Sequence, residues 1–188
     1  PSKNRRYIKP INKILAKLVK AINFNNGVIK GDFVINKNKI KIIEFAGRLS
    51  GGDFCESLVP FSTGRNYVKY AIDIACGEKK LNIPKNLKYK KFVKNRYFFL
   101  KPGKLNSIKG LRKIKKIKGL KKILIQYKIG SKIINPNSHG SRAGVFVVED
   151  NNLKRLNKKI DKIYSTIKFK INDKYLSGDP RVEWKLQQ

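Results

Sequence analysis

The stretch Gly27–Asp53, GVIKGDFVINKNKIKIIEFAGRLSGGD, decides how this chain is read. Val28–Ile35 and Ile40–Phe45 are rich in β-branched and aromatic residues, and the polar run Asn36–Lys39 separates them. That pattern predicts a β-hairpin. A turn centred on Asn38 sets Asp32 and Glu44 opposite each other, because they are equally distant from it. Directly opposed side chains lie roughly 4.5–5.5 Å apart at Cβ, where like charges repel. The chain has 12 acids against 45 Lys and Arg, so placing two of them face to face is a costly use of scarce acids. A divalent cation relieves that cost, since hard cations such as Mg²⁺ take carboxylate oxygens and share their shell with phosphates. The plainer reading is two surface acids held by neighbouring lysines, and spacing alone leaves both readings open. Arg48, shortly after Glu44, is placed to meet phosphates. Ser50-Gly51-Gly52 permits the close backbone approach and positive φ of an anion-binding turn.

Three segments taken together, G-V-I-x-G-D-F, I-I-E-F-A-G-R-L-S-G-G-D and L-V-P-F-S-T-G, resemble the ATP-grasp superfamily in its carboxylate–amine ligase branch. That branch includes carbamoyl-phosphate synthase-like and purine-pathway carboxylate ligases. The resemblance covers Ile11 to Glu78 well and the rest more loosely. It implies an α+β fold: the C-terminal lobe of an ATP-grasp protein over residues 1–83, an antiparallel sheet with packed helices, then a small antiparallel β/α subdomain over 84–188. In that family the matching acids bind Mg²⁺ bridging the ATP phosphates, which implies Asp32 and Glu44 as metal ligands, with Mn²⁺ able to substitute. It implies Arg48 as the catalytic contact to the phosphate or acyl phosphate, and Ser50, Gly51 and Gly52 as cofactor-binding positions. Ala46 stands where the family often has a further ligand, Asn, and it cannot ligate. In such ligases the loop before the strand matching Arg142-Ala143-Gly144 approaches the active site, which marks Arg142 as an expected anion contact. GLRKIKKIKGLKKILIQYKIG from Gly110 and SRAGVFVVEDNN from Ser141 resemble the ligases' C-terminal subdomain in order and pattern.

The activity so implied is ATP-dependent joining of a small-molecule carboxylate to an amine or thiol through an acyl phosphate, in the cytoplasm. No segment before Ile11 offers the glycine-rich flap and lysines of the first ATP-grasp lobe. Such a lobe is therefore an expected partner, in cis or in trans, and a homodimer is compatible. The alternatives are a truncated or split inactive fragment, or a basic nucleic-acid-binding module.

Composition bears on the last of these. A formal net charge of +33 attracts polyanions, and nonspecific polyanion binding at low salt is expected. Yet the excess is mostly lysine, accompanied by much isoleucine and asparagine, and it is scattered between apolar positions in almost every element. That is the pattern of a drifted coding background and solvated faces more than of selected phosphate recognition. The densest cluster is Lys109–Lys122. At 188 residues the chain forms one large domain or two small ones, and 40% hydrophobic residues suffice for a core. No apolar run is long enough to span a membrane. Cys55 and Cys76 lack metal-ligand spacing; one disulfide is an option, and reduced thiols are the expectation.

Periodicity supplies the other elements. Apolar residues at 11, 14, 15, 18, 19 and 22 predict a helix packed on the hairpin sheet. Residues 47–64 read as a loop, which the resemblance implies helps form the acceptor-substrate pocket, with Ser62 or Thr63 capping a helix over 65–76 and Gly77 closing it. Beyond a boundary at Leu81–Leu87, strands are predicted over Tyr89–Leu100, Lys122–Ile129 and Ala143–Val148. Residues 108–119 read as a short helix or a lysine-coated loop. A helix over Asn152–Thr166 carries the stripe Leu153, Leu156, Ile160, Ile163 and Ile167. His139, the only histidine, reads as a turn residue, with a general base or a phosphate contact as the other options.

Overall fold

The computed structural model describes residues 5–78, 81, 83, 91–135 and 141–183. It contains helices and three antiparallel sheets, an α+β architecture. His139 and most of the boundary at Leu81–Leu87 lie outside the described residues. The chain divides into two compact units, residues 1–60 with 65–89, and residues 61–64 with 90–188.

In the first unit a 3₁₀ turn (Arg5–Tyr7) leads into helix α1 (Ile8–Ala21). Ile11, Ile14, Leu15, Leu18 and Val19 form its half-buried stripe. The helix starts earlier than its stripe suggests, because Pro10 is tolerated in a first turn, where its missing N–H has no intrahelical partner to lose. Ile22 lies past the helix end and is exposed, so it does not belong to the packed face. Strands β1 (Lys30–Asn36) and β2 (Lys39–Ala46) form a two-stranded sheet. Along β1, Gly31, Phe33 and Ile35 are half-buried while Asp32, Val34 and Asn36 are exposed, the two-residue alternation of a strand with one covered face. A Cβ added to Gly31 would lie 3.6 Å from the Leu15 side chain, so the covered face meets α1.

Residues 47–64 are not the plain loop expected. A π turn (Phe54–Leu58) runs into helix α2 (Val59–Thr63), which itself contains Ser62 and Thr63. Gly64, at φ +76°, ends that helix. Helix α3 (Tyr67–Ala75) is capped instead by Asn66, whose side-chain oxygen accepts the Lys69 N–H at 2.9 Å. Gly77, at φ +87°, closes α3.

The second unit holds the extensive core. Strand β3 (Phe92–Phe98) is followed by β4 (Gly103–Lys109), helix α4 (Leu111–Lys115), β5 (Leu120–Ile125), β6 (Lys132–Ile133) and β7 (Gly144–Asp150). Helix α5 (Leu153–Thr166), β8 (Lys168–Ile171), β9 (Lys174–Leu176) and helix α6 (Pro180–Glu183) complete it. One sheet has the order β3-β7-β5 and the other β6-β4-β8-β9. β7 is central, and Gly144–Glu149 are all buried. Phe98 packs against Phe146, Tyr164 and Phe169 with ring centroids 5.2, 5.8 and 5.2 Å away, offset and edge-on contacts that suit ring quadrupoles. In α5, Leu156, Ile160, Ile163 and Tyr164 are buried, while Leu153 sits exposed at the first turn. β5 stops at Ile125, and Ile129 is 64% exposed. β4, β8 and β9 were not expected from the sequence.

Candidate functional site

The two acids do face each other, for a reason the spacing does not reveal. The turn residues are Lys37 and Asn38, at φ +45° and +63°, the two left-handed residues of a tight hairpin turn. Asn36 therefore pairs with Lys39 and Phe33 with Ile42, a register that continued unbroken would set Asp32 against Ile43. A β-bulge between Asp32 and Phe33 leaves Ile43 as the extra residue and restores the pairing of Asp32 with Glu44. Ile43 is pushed outward and is 68% exposed. The turn is held from the 3₁₀ segment: Tyr7 Oη donates to Asn38 Oδ1 at 2.6 Å and Arg6 Nη2 donates to the same oxygen at 3.1 Å.

Between the carboxylates sits a cation of the chain's own. Lys30 Nζ donates to Asp32 Oδ2 and to Glu44 Oε1, each at 2.7 Å. Both carboxylates are half-exposed while the lysine is mostly covered. The hydrogen bond to Asp32, then that to Glu44, raises the Lys30 pKa above its usual value, so the ammonium stays charged. The plainer reading of the acids thus describes their contacts here, with one lysine serving both. The same geometry shows that the two carboxylates can converge on a single positive centre. No group of three or more His, Cys, Asp and Glu side chains gathers among the described residues. The pair alone supplies two oxygen ligands, which suits an ion of the Mg²⁺ kind that completes its shell with phosphates and water.

Beyond β2 the chain turns sharply. Gly52 and Asp53 have φ of +67° and +68°, and a side chain at Gly51 would meet nothing within 4 Å. Asp53 Oδ1 accepts from Ser57 Oγ at 3.1 Å, tying the turn to the π turn that follows. Arg48 is exposed and donates through Nη1 to the Leu49 carbonyl at 3.0 Å. Asp32, Glu44, Arg48 and Ser50–Gly52 all belong to the first unit. Arg142 belongs to the second, where its guanidinium lies 3.8 Å from the centroid of the Tyr97 ring and 6.0 Å from that of Phe99, a cation–π stack. Cys55 is buried, Cys76 is exposed, and both are free thiols.

The feature that sequence reading missed is Lys30. It lies on the same strand two residues before Asp32, hence on the same face. In a chain with so many lysines that signal has little contrast.

Residues 96–172 match the family model described as L-amino acid ligase C-terminal domain 2. A search of curated proteins finds no match. Among solved structures, the L-amino acid ligase from Bacillus licheniformis superposes with a TM-score of 0.70 at 16% identity, over 90% of this chain and 42% of that one. Phosphoribosylglycinamide synthetase from Anaerococcus prevotii gives 0.73 at 22% identity, over 90% and 43%. The biotin carboxylase domain of the Hydrogenobacter thermophilus 2-oxoglutarate carboxylase, solved with MgADP, gives 0.67 at 14% identity, over 90% and 38%. This chain therefore spans about two fifths of the length of these structures. By fold over nine tenths of its length, and by sequence over residues 96–172, the chain is similar to the C-terminal portion of ATP-grasp carboxylate–amine ligases.

Proposed function

We propose that this chain is the C-terminal part of an ATP- and Mg²⁺-dependent carboxylate–amine, or carboxylate–thiol, ligase. The observation that carries the proposal is the Asp32–Glu44 pair, brought face to face by a bulge and converging on one positive centre. Support also comes from the neighbour solved with MgADP. In this reading a substrate carboxylate oxygen attacks the terminal phosphorus of ATP, ADP leaves, and an acyl phosphate forms. The amine or thiol then attacks the acyl carbon, inorganic phosphate leaves, and the nucleophile gives up its proton. A magnesium ion held by Asp32 and Glu44 would supply the positive charge that offsets phosphate charge during transfer.

The chain's own groups act around that centre. Asp32 and Glu44 supply carboxylate oxygens from two adjacent strands, so the hairpin backbone sets their separation. Arg48 donates N–H bonds to the transferring phosphoryl oxygens, where electrostatic stabilisation is the main catalytic device. The turn Ser50–Gly52 offers backbone N–H groups to the nucleotide; Arg142 is proposed as an anion contact in its own right. The proposed domain limit falls near residue 83. A first ATP-grasp lobe, in cis or in trans, completes the nucleotide cleft, and the proposed location is the cytoplasm. Among the described residues no helix is long and apolar enough to cross a membrane.

Manganese binding tests the site directly. Electron paramagnetic resonance titration of the chain with Mn²⁺ and ADP should show one bound ion in the wild type, lost in Asp32→Asn and in Glu44→Gln. Undiminished Mn²⁺ binding in both variants would overturn the assignment of these two acids.

A further inference from the structure

The second unit carries a cavity of about 560 Å³ lined by Lys113, Lys116, Ile117, Lys118, Lys159, Lys162 and Thr166. It contains lysines from three sources: helix α4, the turn after it, and helix α5. The placement of each follows from the core. Ile114, fully buried, pins α4 down and turns Lys113 outward, while half-buried Ile117 pins the next turn between Lys116 and Lys118. On α5, buried Ile160 and Ile163 direct Lys159, Lys162 and Thr166 to the neighbouring stripe, since residues three and four apart share a face.

No carboxylate lines this cavity. Two acids, Glu149 and Asp150, line the adjoining cavity and are engaged by cations, one of which is Lys159 of this cavity. Lys91 pairs with Glu149 at 2.5 Å, and Arg155 and Lys159 pair with Asp150 at 3.0 and 2.6 Å. Lys159 is thereby anchored, and its Nζ also donates to the Glu149 carbonyl at 3.3 Å. Among the described residues the other four lysines of the cavity have no ion pair. Like charges gathered in a concave wall focus the field more than the same charges on a convex face. The volume falls within the range of small-ligand sites, roughly 300–1,000 Å³.

We infer that this cavity is a binding site for a compact polyphosphate anion of the triphosphate class, separate from the acid pair of the first unit. Lysine suits that ligand, since its ammonium presents three rotatable donors as a point charge, and Thr166 in the lining carries a hydroxyl donor. The site does not depend on the ligase reading, because none of its residues belongs to the Asp32–Glu44 hairpin.

The test uses inorganic tripolyphosphate and the chain as it stands, titrated calorimetrically at physiological ionic strength, ~0.15 M. A groove variant, Lys113→Gln/Lys116→Gln/Lys162→Gln, is compared with Lys9→Gln/Lys13→Gln/Lys17→Gln, which removes the same charge from the exposed face of α1. One saturable site is expected, weakened about tenfold or more in the groove variant and less than about threefold in the control. Lysine acetylation of the wild type, read by mass spectrometry, gives a second readout free of any folding defect. Tripolyphosphate should protect Lys113, Lys116, Lys118 and Lys162 and leave Lys9, Lys13 and Lys17 reactive. Equal weakening in both variants, uniform protection, or saturable binding only of single-stranded oligonucleotide would each overturn the inference.

Discussion

At the scale of single residues, the acid pair depends on two features that act in opposite directions on register. The two-residue turn at Lys37-Asn38 shifts β2 by one position relative to a turn centred on Asn38. The bulge at Ile43 shifts it back. Counting from Asn38 reaches the right pairing because the two shifts cancel, so the opposition of Asp32 and Glu44 was legible while its cause was not. Lys30 could not be singled out among so many lysines, yet it makes the closest contacts either acid has, at 2.7 Å. It occupies the ground a metal ion would need in the proposed site, so the two would compete. Lys30→Met should therefore tighten Mn²⁺ binding by about fivefold, the scale of one unit charge removed at contact distance in a solvated site. Weaker or unchanged Mn²⁺ binding in that variant would show that lysine and metal do not share the pair.

At the scale of elements, the start of α5 shows how one acid organises a helix terminus. Asp150, the last residue of β7, accepts the Asn152 N–H at 2.8 Å and the Arg155 Nε–H at 3.0 Å, and it pairs with Lys159 at 2.6 Å. Lys159 first, then the Asn152 N–H, hold its carboxyl well below the usual carboxylate range. A carboxyl with a depressed folded-state pKa stabilises fully above the unfolded value, about 3.9, and loses that contribution as pH falls toward the folded one. Asp150→Asn should accordingly lower the melting temperature at pH 7, and the gap to wild type should narrow below pH ~4. A gap independent of pH would contradict the ionic role.

Legibility among the elements follows contrast. α5 and β7 were readable because a helical stripe and a continuous apolar run stand out from their lysine-rich surroundings. β8 and β9 are four and three residues long, joined at Asn172-Asp173, too short for alternation to rise above background. β4 places lysines near both ends of its run, Lys104 and Lys109, around buried Leu105, so its strand pattern did not stand out. Asn66 outdid Ser62 and Thr63 as a cap because the chain between them continues as helix before breaking at Gly64.

At the scale of the whole molecule, the two units differ in how much apolar surface they bury. The second has a continuous buried cluster running from Phe98 to Ile171. In the first, the buried described residues are Tyr7, Cys55, Ser57 and Arg65, while Val34, Ile43, Phe45 and Phe54 are exposed. Buried apolar area is the main source of stability, so opening should begin in the first unit. Hydrogen exchange followed by mass spectrometry should find β7 and α5 the slowest amides and the β1–β2 hairpin at least about tenfold faster. Equal protection of both would contradict this ranking. The chain spans about two fifths of the structures it resembles, and the proposed ligase includes a first lobe. The most direct test of the central claim is ATP-dependent turnover in that full context, wild type against Glu44→Gln. The prediction is a fall of about a hundredfold or more with an unchanged melting temperature. Normal turnover by Glu44→Gln would contradict the assignment of the hairpin acids as the metal–nucleotide site.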